Sequence, residues 1–273
     1  MTARGTAALV ARLRRELGVR ELAILRSLQR VRLLTTDHLT RLHFADNSPN
    51  TRARRCRATL RRLTERRMTV RLGRQVGGIK AGSSGSLFGL TGLGTAIVEA
   101  PTARRRRRTV WETKPYFQDH LLAVSEMYVR SVEHSRAGNA DLLTFDAEPA
   151  CWRRFTGTGG EPIVLKPDVF VRVGVGDYEL ASFVEMDMGT ESLPTIRRKC
   201  QVYLRYWRSG LEQQRYGVFP RVLWLVPNQH RVDGITTVLK RLARGAADSL
   251  FTVAPVESGA KLLTTLPGEG GSI

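Results

Sequence analysis

The sequence predicts an α/β chain, α+β overall, with two modules: an N-terminal winged helix-turn-helix and a following domain of element order α-β-β-β-α-β. Charge separates the two. Residues 1–110 contain 25 Lys and Arg against 6 Asp and Glu, a net charge of +19, whereas residues 111–273 contain 19 of each. Three helical patterns before a glycine-rich hairpin, and acids at the ends of apolar strands, are the other observations. The predicted boundaries are a flexible basic N-terminus at 1–19, the winged helix at 20–100, an arginine-rich linker at 101–114, the α/β domain at 115–255 and a tail at 256–273.

The composition favours a nucleic-acid partner. The isoelectric point is near 11.1, and a field of that size attracts phosphate and holds it through counterion release. Binding to an anionic membrane would require an amphipathic helix with a large apolar face, which the sequence does not contain. A solvated basic face without a partner is the other alternative. With no signal peptide and no long apolar run, we expect a cytoplasmic protein in which Cys56, Cys151 and Cys200 are reduced and packed as small hydrophobic residues.

Three helices are predicted in the basic module. The first covers Arg20–Leu34, with leucines at helical spacing, and Thr36 is expected to cap a short second helix. Ser48 and Pro49 open the third helix, which runs from Asn50 to about Met68. Its predicted buried stripe consists of Ala53, Cys56, Leu60 and Leu63.

Two predicted strands, Thr69–Arg74 and Ser86–Thr91, enclose a loop rich in glycine and serine and complete the winged helix. In that fold the third helix enters the major groove, and the wing contacts the backbone or the minor groove. Double-stranded DNA is therefore the predicted partner, and an arginine-coated structural helix is the alternative. The candidate DNA-contacting residues are Arg52, Arg54, Arg55, Arg57, Arg61 and Arg62 on the helix, and Arg71, Arg74 and Lys80 on the hairpin. The arginine run 104–108 is either a phosphate clamp or a solvated linker.

The second module alternates strands and helices in a pattern typical of a mixed sheet with a crossover helix. A helix over Tyr116–Arg136 is predicted to open it. Strands at Leu142–Phe145, Ile163–Val173 and Tyr178–Asp187 follow, then a helix over Leu193–Trp207, an apolar run at Val218–Val226, a helix over Ile235–Ala243 and a strand at Leu250–Val253.

Three acids, Asp168, Glu185 and Asp187, stand at the ends of apolar strands. If Gly174–Asp177 is the hairpin turn, Asp168 lies opposite Phe183, and strand alternation then puts all three carboxylates on one face. Close carboxylates repel one another unless a divalent cation lies between them, and such oxygen ligands suit Mg²⁺ or Mn²⁺. We therefore treat these three residues as candidate metal ligands and candidate catalytic residues. Each acid taken singly could instead cap a turn or face solvent.

The helix after these acids supplies a candidate cation. Lys199 shares a stripe with Ile196 and Tyr203, so its ammonium is predicted to point back toward the acids and to stabilise a pentavalent phosphate. A solvated helix lysine is the alternative. Tyr203 and Tyr206 are interpreted as core residues, with a nucleophilic role left open.

These residues carry a family resemblance. Lys166-Pro167-Asp168, followed seventeen residues after Asp168 by Glu185-Met186-Asp187, resembles the PD-(D/E)xK nuclease superfamily. With the winged helix before it and Lys199 after it, the run from Glu185 to Glu191 resembles the actinobacterial replication-relaxation family, which is related to plasmid mobilisation relaxases. The resemblance implies a restriction-endonuclease-like fold, DNA nicking in plasmid or mobile-element replication or transfer, and replication or mobilisation proteins as partners.

One departure from the superfamily pattern bears on activity. The pattern has a lysine where this chain has Asp187, so the role passes to Lys199 or Lys166 or is lost. The alternative function is therefore a catalytically inactive replication initiator or transcriptional regulator that uses the second domain for dimerisation or partner docking. Cleavage of a palindrome would need a homodimer, for which the sequence identifies no surface.

Overall fold

The computed structural model describes residues 3–73, 86–99, 115–138, 140–242 and 249–266. The chain forms two compact units, Met1–Val129 and Arg130–Ile273. Its mixture of helices and small sheets confirms the predicted α+β class. Among the helices of these ranges, none combines the length and the apolar character that a membrane crossing requires.

Unit 1 contains six helices and three short strands within its described residues. They are α1 (Ala3–Glu16), α2 (Val19–Val31), β1 (Leu34–Thr35), α3 (Thr36–His43), α4 (Pro49–Glu65), β2 (Thr69–Leu72), β3 (Leu87–Leu90), α5 (Gly92–Val98) and α6 (Pro115–Arg136), which continues into unit 2. The strands form an antiparallel sheet of order β1-β3-β2. The order α2-β1-α3-α4-β2-β3 is the helix and hairpin order expected of a winged helix.

Helix α4 begins and packs as its sequence indicates. Ser48 occupies the N-cap position and Pro49 the first turn, where the absent proline N–H costs no hydrogen bond. Cys56, Leu60 and Leu63 form its buried face, at spacings of four and three residues. The helix ends at Glu65, three residues before the predicted Met68. Most of the exposed positions outside this buried face are arginines.

Two parts of unit 1 differ from the predictions. Residues 1–19, expected to be flexible, contain the helix α1, whose Glu16 accepts a hydrogen bond from Arg66 at the end of α4. Helix α5 was not predicted at all. Thr91 caps it, and Gly94 is required in its first turn because a Cβ there would lie 2.0 Å from the Met68 carbonyl oxygen.

Helix α6, predicted to open the second module, packs within unit 1 along its first part. Leu121 joins Leu33 and Leu87 in a small buried cluster. Glu126 accepts two hydrogen bonds from the Arg41 guanidinium, at 2.8 and 3.2 Å. The boundary between the compact units falls inside this helix, at Val129.

Unit 2 is built on a five-stranded sheet of order β10-β9-β8-β7-β4. Its elements are β4 (Asp141–Ala147), β5 (Arg153–Thr156), β6 (Pro162–Leu165), β7 (Val169–Val175), β8 (Tyr178–Met186), α7 (Leu193–Arg208), α8 (Leu211–Tyr216), β9 (Arg221–Val226), α9 (Gln229–Leu242), β10 (Phe251–Pro255) and α10 (Gly259–Thr264). Strands β4, β7 and β8 are antiparallel, and β8, β9 and β10 are parallel. The crossover through α7 therefore follows the connection that parallel neighbours require.

The strand predicted at Ile163–Val173 is two strands. Strand β6 pairs only with β5, in a separate two-stranded sheet, and β7 belongs to the main sheet. Pro167, which cannot donate to a ladder, lies at the break between them. This break sets the position of Asp168.

The hairpin register also differs from the prediction. Val175 pairs with Tyr178, so only Gly176 and Asp177 form the turn, and Phe170 rather than Asp168 lies opposite Phe183. The shift is two residues, and side chains therefore keep the predicted faces. Val169 pairs with Val184, and Asp168 consequently adjoins Glu185.

The main core of unit 2 lies between the sheet and helices α7 and α9. It includes Phe183 and Trp224 from the sheet, Cys200 and Tyr203 from α7, and Ile235 from α9, all fully buried. All three cysteines of the chain are free and buried, as predicted.

Candidate functional site

Glu185 is the central acid of the candidate site. It lies near the end of β8 and is only 1% exposed. Its Oε1 accepts a hydrogen bond of 2.7 Å from the Tyr203 hydroxyl, and its Oε2 accepts one of 3.1 Å from Lys199 Nζ. Lys199 and Tyr203 are one turn apart on α7, whose buried stripe turns both side chains toward the sheet. The lysine therefore points toward an acid of the predicted cluster.

Asp168 flanks Glu185 from the neighbouring strand. Its backbone N–H donates to the Val184 carbonyl at 3.1 Å, and its Oδ2 accepts from the Met186 N–H at 2.7 Å. These bonds fix the Asp168 carboxylate at the end of the sheet where β7 begins and β8 ends. Asp168 remains partly exposed, unlike Glu185.

The electrostatics of the site follow from this burial. Burial, together with the nearby charge of Asp168, raises the pKa of Glu185 to about 7, although the Lys199 ammonium acts in the opposite direction. Burial alone would lower the pKa of Lys199, but the charges of Glu185 and Asp168 outweigh it and the pKa is raised. The raised pKa favours the protonated form of Lys199 beside the two acids.

Asp187 is arranged differently from the other two acids. Its Oδ2 accepts a 2.5 Å hydrogen bond from Arg231 Nε on α9, and its Oδ1 accepts from the Gly189 N–H at 3.0 Å. Strand β8 ends at Met186, and the chain turns at Gly189, whose φ of +82° favours glycine. The backbone N–H of Asp187 still donates to the Leu225 carbonyl at 3.0 Å, so its pairing with Arg231 is what distinguishes it from the other two acids. In the part of the chain that the structure describes, no group of three or more His, Cys, Asp or Glu side chains could hold a metal ion.

Two residues of this site were missed in the sequence. Glu191 accepts a 2.8 Å hydrogen bond from Lys199 Nζ, and Arg231 bonds to Asp187, but neither was singled out as a site residue. No local signal marks Arg231, which lies 44 residues from Asp187. The alternative lysine, Lys166, has its ammonium 5.0 Å from the ring centroid of Trp152.

The two tyrosines of α7 are placed as supporting residues. Tyr203 is fully buried, and burial together with the Glu185 charge raises its pKa well above the usual range. The hydroxyl of Tyr206 donates to Glu212 at 2.9 Å, in a buried cluster that also contains Arg153. A buried phenol that already donates to a carboxylate is a poor nucleophile.

The arginines predicted to contact DNA are exposed on α4 and β2, but they differ in their partners. Arg62 Nε donates to Glu21 at 2.9 Å, and Arg55 donates to Asn47 at 2.6 Å. Arg61 lies 3.9 Å from Glu65, in an exposed pair. The side chains with neither an ion pair nor a side-chain hydrogen bond among the described residues are Arg52, Arg54, Arg57 and Arg71. Arg74, Lys80 and the arginine run 104–108 lie outside the described residues.

Comparison with known proteins gives one result. No curated protein and no solved structure matches the chain. A family model described as replication-relaxation matches residues 25–222, which include both the α4 arginines and the acids around Lys199. On the strength of this match over most of its length, the chain belongs to the replication-relaxation family.

Proposed function

We propose that this chain binds double-stranded DNA through α4 and the β2–β3 hairpin and nicks it with the help of Mg²⁺ or Mn²⁺, in plasmid or mobile-element replication or transfer. Family membership supports a role in replication or mobilisation, with DNA or replication proteins as partners. The nicking itself rests on the geometry around Glu185 and on the resemblance of the Pro167-Asp168 and Glu185 motifs to PD-(D/E)xK nucleases.

The observation that carries this function is the hydrogen bond between Lys199 and Glu185, with Asp168 on the adjoining strand. Acids at the start of β7 and the end of β8 could hold a divalent cation, and a lysine from the next helix could stabilise negative charge on a phosphate. The lysine reaches Glu185 from α7, which supports the idea that it replaces the lysine absent at position 187.

The donor set fits a hard divalent cation. Asp168 and Glu185 supply two carboxylates, and Mg²⁺ commonly uses only one or two protein carboxylates together with waters and substrate phosphates. Burial and mutual repulsion raise the pKa of Glu185, so a cation between the two would stabilise the charged form. When bound, such a cation polarises the scissile phosphate and activates water for attack. Both oxygens of Asp187 accept hydrogen bonds, one of them from the Arg231 guanidinium, just as both oxygens of Glu185 accept from Tyr203 and Lys199.

The chain's own residues have separable roles in this scheme. Tyr203 holds one oxygen of Glu185 and so fixes the orientation of the carboxylate. Lys199 stays protonated and stabilises the negative charge that develops on the phosphate oxygens. On α4, Arg54 and Arg57 would bind phosphates or bases, since neither has an ion-pair partner among the described residues.

A second candidate function has its own observation. Asp187 occupies the position of the superfamily lysine and is paired with Arg231, as expected if the site had become a structural support. In that case the chain is a replication initiator or transcriptional regulator, and its second domain serves for dimerisation or docking.

A supercoiled-plasmid assay separates these functions. The plasmid should carry DNA from the genetic neighbourhood of the protein, with Mg²⁺, Mn²⁺ or EDTA present. We expect cation-dependent conversion to open circle, and a rate lower by about 10²- to 10³-fold in Asp168→Asn. The asparagine keeps an acceptor for the Met186 N–H. The matched control is Asp177→Asn in the exposed turn of the same hairpin. Binding without nicking, equal in all three proteins, would favour the non-enzymatic function.

A further inference from the structure

The turn between β8 and α7 is fixed from outside by one arginine. Arg231, near the start of α9, donates from Nε to Asp187 Oδ2 and from Nη2 to the backbone carbonyl of Glu191. The backbone N–H of Arg231 donates to Asn228 Oδ1 at 3.0 Å. The side chain of Arg231 is 17% exposed and that of Asp187 only 1%, so the pair lies largely out of water. Both ends of the turn are thereby tied to the same guanidinium.

Glu191, the residue whose carbonyl Arg231 binds, holds the lysine of the candidate site. Lys199 Nζ donates to Glu191 Oε1 at 2.8 Å and to Glu185 Oε2 at 3.1 Å. The same ammonium lies 5.7 Å from the ring centroid of Trp224, within range of a cation–π contact. A continuous series of polar contacts therefore runs from Arg231 through Glu191 and Lys199 to Glu185.

Building on the cleavage function proposed above, we propose that Arg231, Asp187 and Glu191 are positioning residues that hold the Lys199 ammonium against Glu185. A free lysine side chain has four rotatable bonds and substantial rotamer entropy, so a single hydrogen bond positions its ammonium poorly. A second carboxylate, on a turn that is itself anchored at both ends, restricts it to one place. Asp187 then acts as the anchor for Arg231 and does not need to bind the metal.

Amine labelling of the full chain without metal tests the hold on Lys199 directly. An ammonium that donates to two carboxylates reacts slowly with an acylating reagent, and the modified lysine is located by mass spectrometry. We expect labelling of Lys199 to rise about fivefold in Glu191→Gln, because the amide oxygen still accepts but lacks the charge that strengthens the bond, and to a similar extent in Arg231→Met, because the turn loses its anchor. Lys166 and Lys240, both exposed, should be labelled equally in every protein. Arg241→Met, an exposed position on the same helix α9, is the matched control.

Two outcomes overturn the positioning role. The first is unchanged labelling of Lys199 in Glu191→Gln, whose side chain is partly exposed and can be replaced without burying an unpaired charge. The second is equal labelling of Lys199 in Arg231→Met and wild type. If Arg231→Met instead raises labelling at all three lysines, it has unfolded, and Glu191→Gln alone decides.

The same variants, tested in the plasmid assay, distinguish the positioning of Lys199 from the cleavage function on which it rests. Loss of an outer contact to a catalytic group typically costs about 10- to 100-fold in activity, and we expect that loss in nicking, with DNA affinity unchanged. A wild-type protein that never nicks, but shows the labelling pattern, disproves the cleavage function and leaves the hold on Lys199 intact. Variants that release Lys199 yet nick at the wild-type rate would show that its position does not matter for cleavage.

Discussion

The arginines of α4 and those of unit 2 are the same residue type in opposite environments. Arg54 and Arg57 are exposed and have no ion-pair partner among the described residues, whereas Arg153 and Arg231 are mostly buried and each faces a buried carboxylate. An unpaired exposed cation costs little and is available to a ligand. A buried cation must be paired, and it therefore serves the fold or the site. The comparison teaches that the partner of an arginine, and not its presence, indicates its role.

The largest expected effect comes from breaking a buried pair. In Glu212→Gln, Arg153 would lose the carboxylate that its Nε contacts at 2.5 Å, although its stacking over the rings of Phe170 and Phe183 would remain. We expect the free energy of unfolding to fall by about 3–5 kcal/mol, measured by urea denaturation. Glu179→Gln, which breaks the more exposed pair with Arg172, should cost about 1 kcal/mol or less. Equal losses would mean that burial does not distinguish the two kinds of arginine.

The next effect is on DNA binding. Replacing Arg54 and Arg57 together by alanine should leave the unfolding free energy almost unchanged, because neither side chain has an ion pair to lose. Each phosphate contact adds about 0.9 to the slope of log affinity against log salt, so this slope should decrease by about 2. The control is the pair Lys240→Ala and Arg241→Ala on α9, which removes the same charge from another exposed surface. An equal decrease in the control would mean that net charge alone, and not α4, sets the affinity.

The smallest effect is expected for Arg62, which combines the exposure of the unpaired arginines with the carboxylate partner of the buried ones. Arg62 is more than half exposed but donates to Glu21, whose side chain is nearly buried. In Arg62→Ala we expect about 1 kcal/mol lower stability, with a change in salt slope smaller than that of Arg54→Ala. Denaturation and binding isotherms at several salt concentrations measure both quantities. If Arg62→Ala lowered the salt slope as much as Arg54→Ala and did not lower the unfolding free energy, Arg62 would belong with Arg54 and Arg57 as a candidate DNA contact.

The sequence predicted what depends on local pattern. Apolar spacing located α4 and α7, and strand alternation put Asp168 on the same face as Glu185 even though the assumed register was two residues off. The parity was preserved because a shift of two residues leaves every side chain on its face. The helical spacing of Ile196, Lys199 and Tyr203 also correctly predicted that Lys199 points toward Glu185.

The parts that were not predicted depend on contacts between distant residues. The bond between the Asp187 carboxylate and Arg231, 44 residues later, has no local signal in the sequence. Strand β6 was merged with β7 because both are apolar, and only pairing partners show that they belong to different sheets. Helix α1 was missed even though Val10, Leu13 and Leu17 recur at helical spacing, because its polar character was interpreted as that of a flexible start.

The contacts of α6 determine how the part of the chain proposed to bind DNA could be produced as a separate fragment. A fragment that stopped at the predicted linker would lack Glu126, and the Arg41 guanidinium would lose the carboxylate to which it donates two hydrogen bonds. It would also lack Leu121 and so expose the apolar side chains of Leu33 and Leu87 to water. Such a fragment should aggregate or melt early, and a loss of DNA binding by it would be misread as evidence for a second binding surface. A fragment that extends to Arg136, the last residue of α6, keeps these contacts and is the shorter protein to use for titrations.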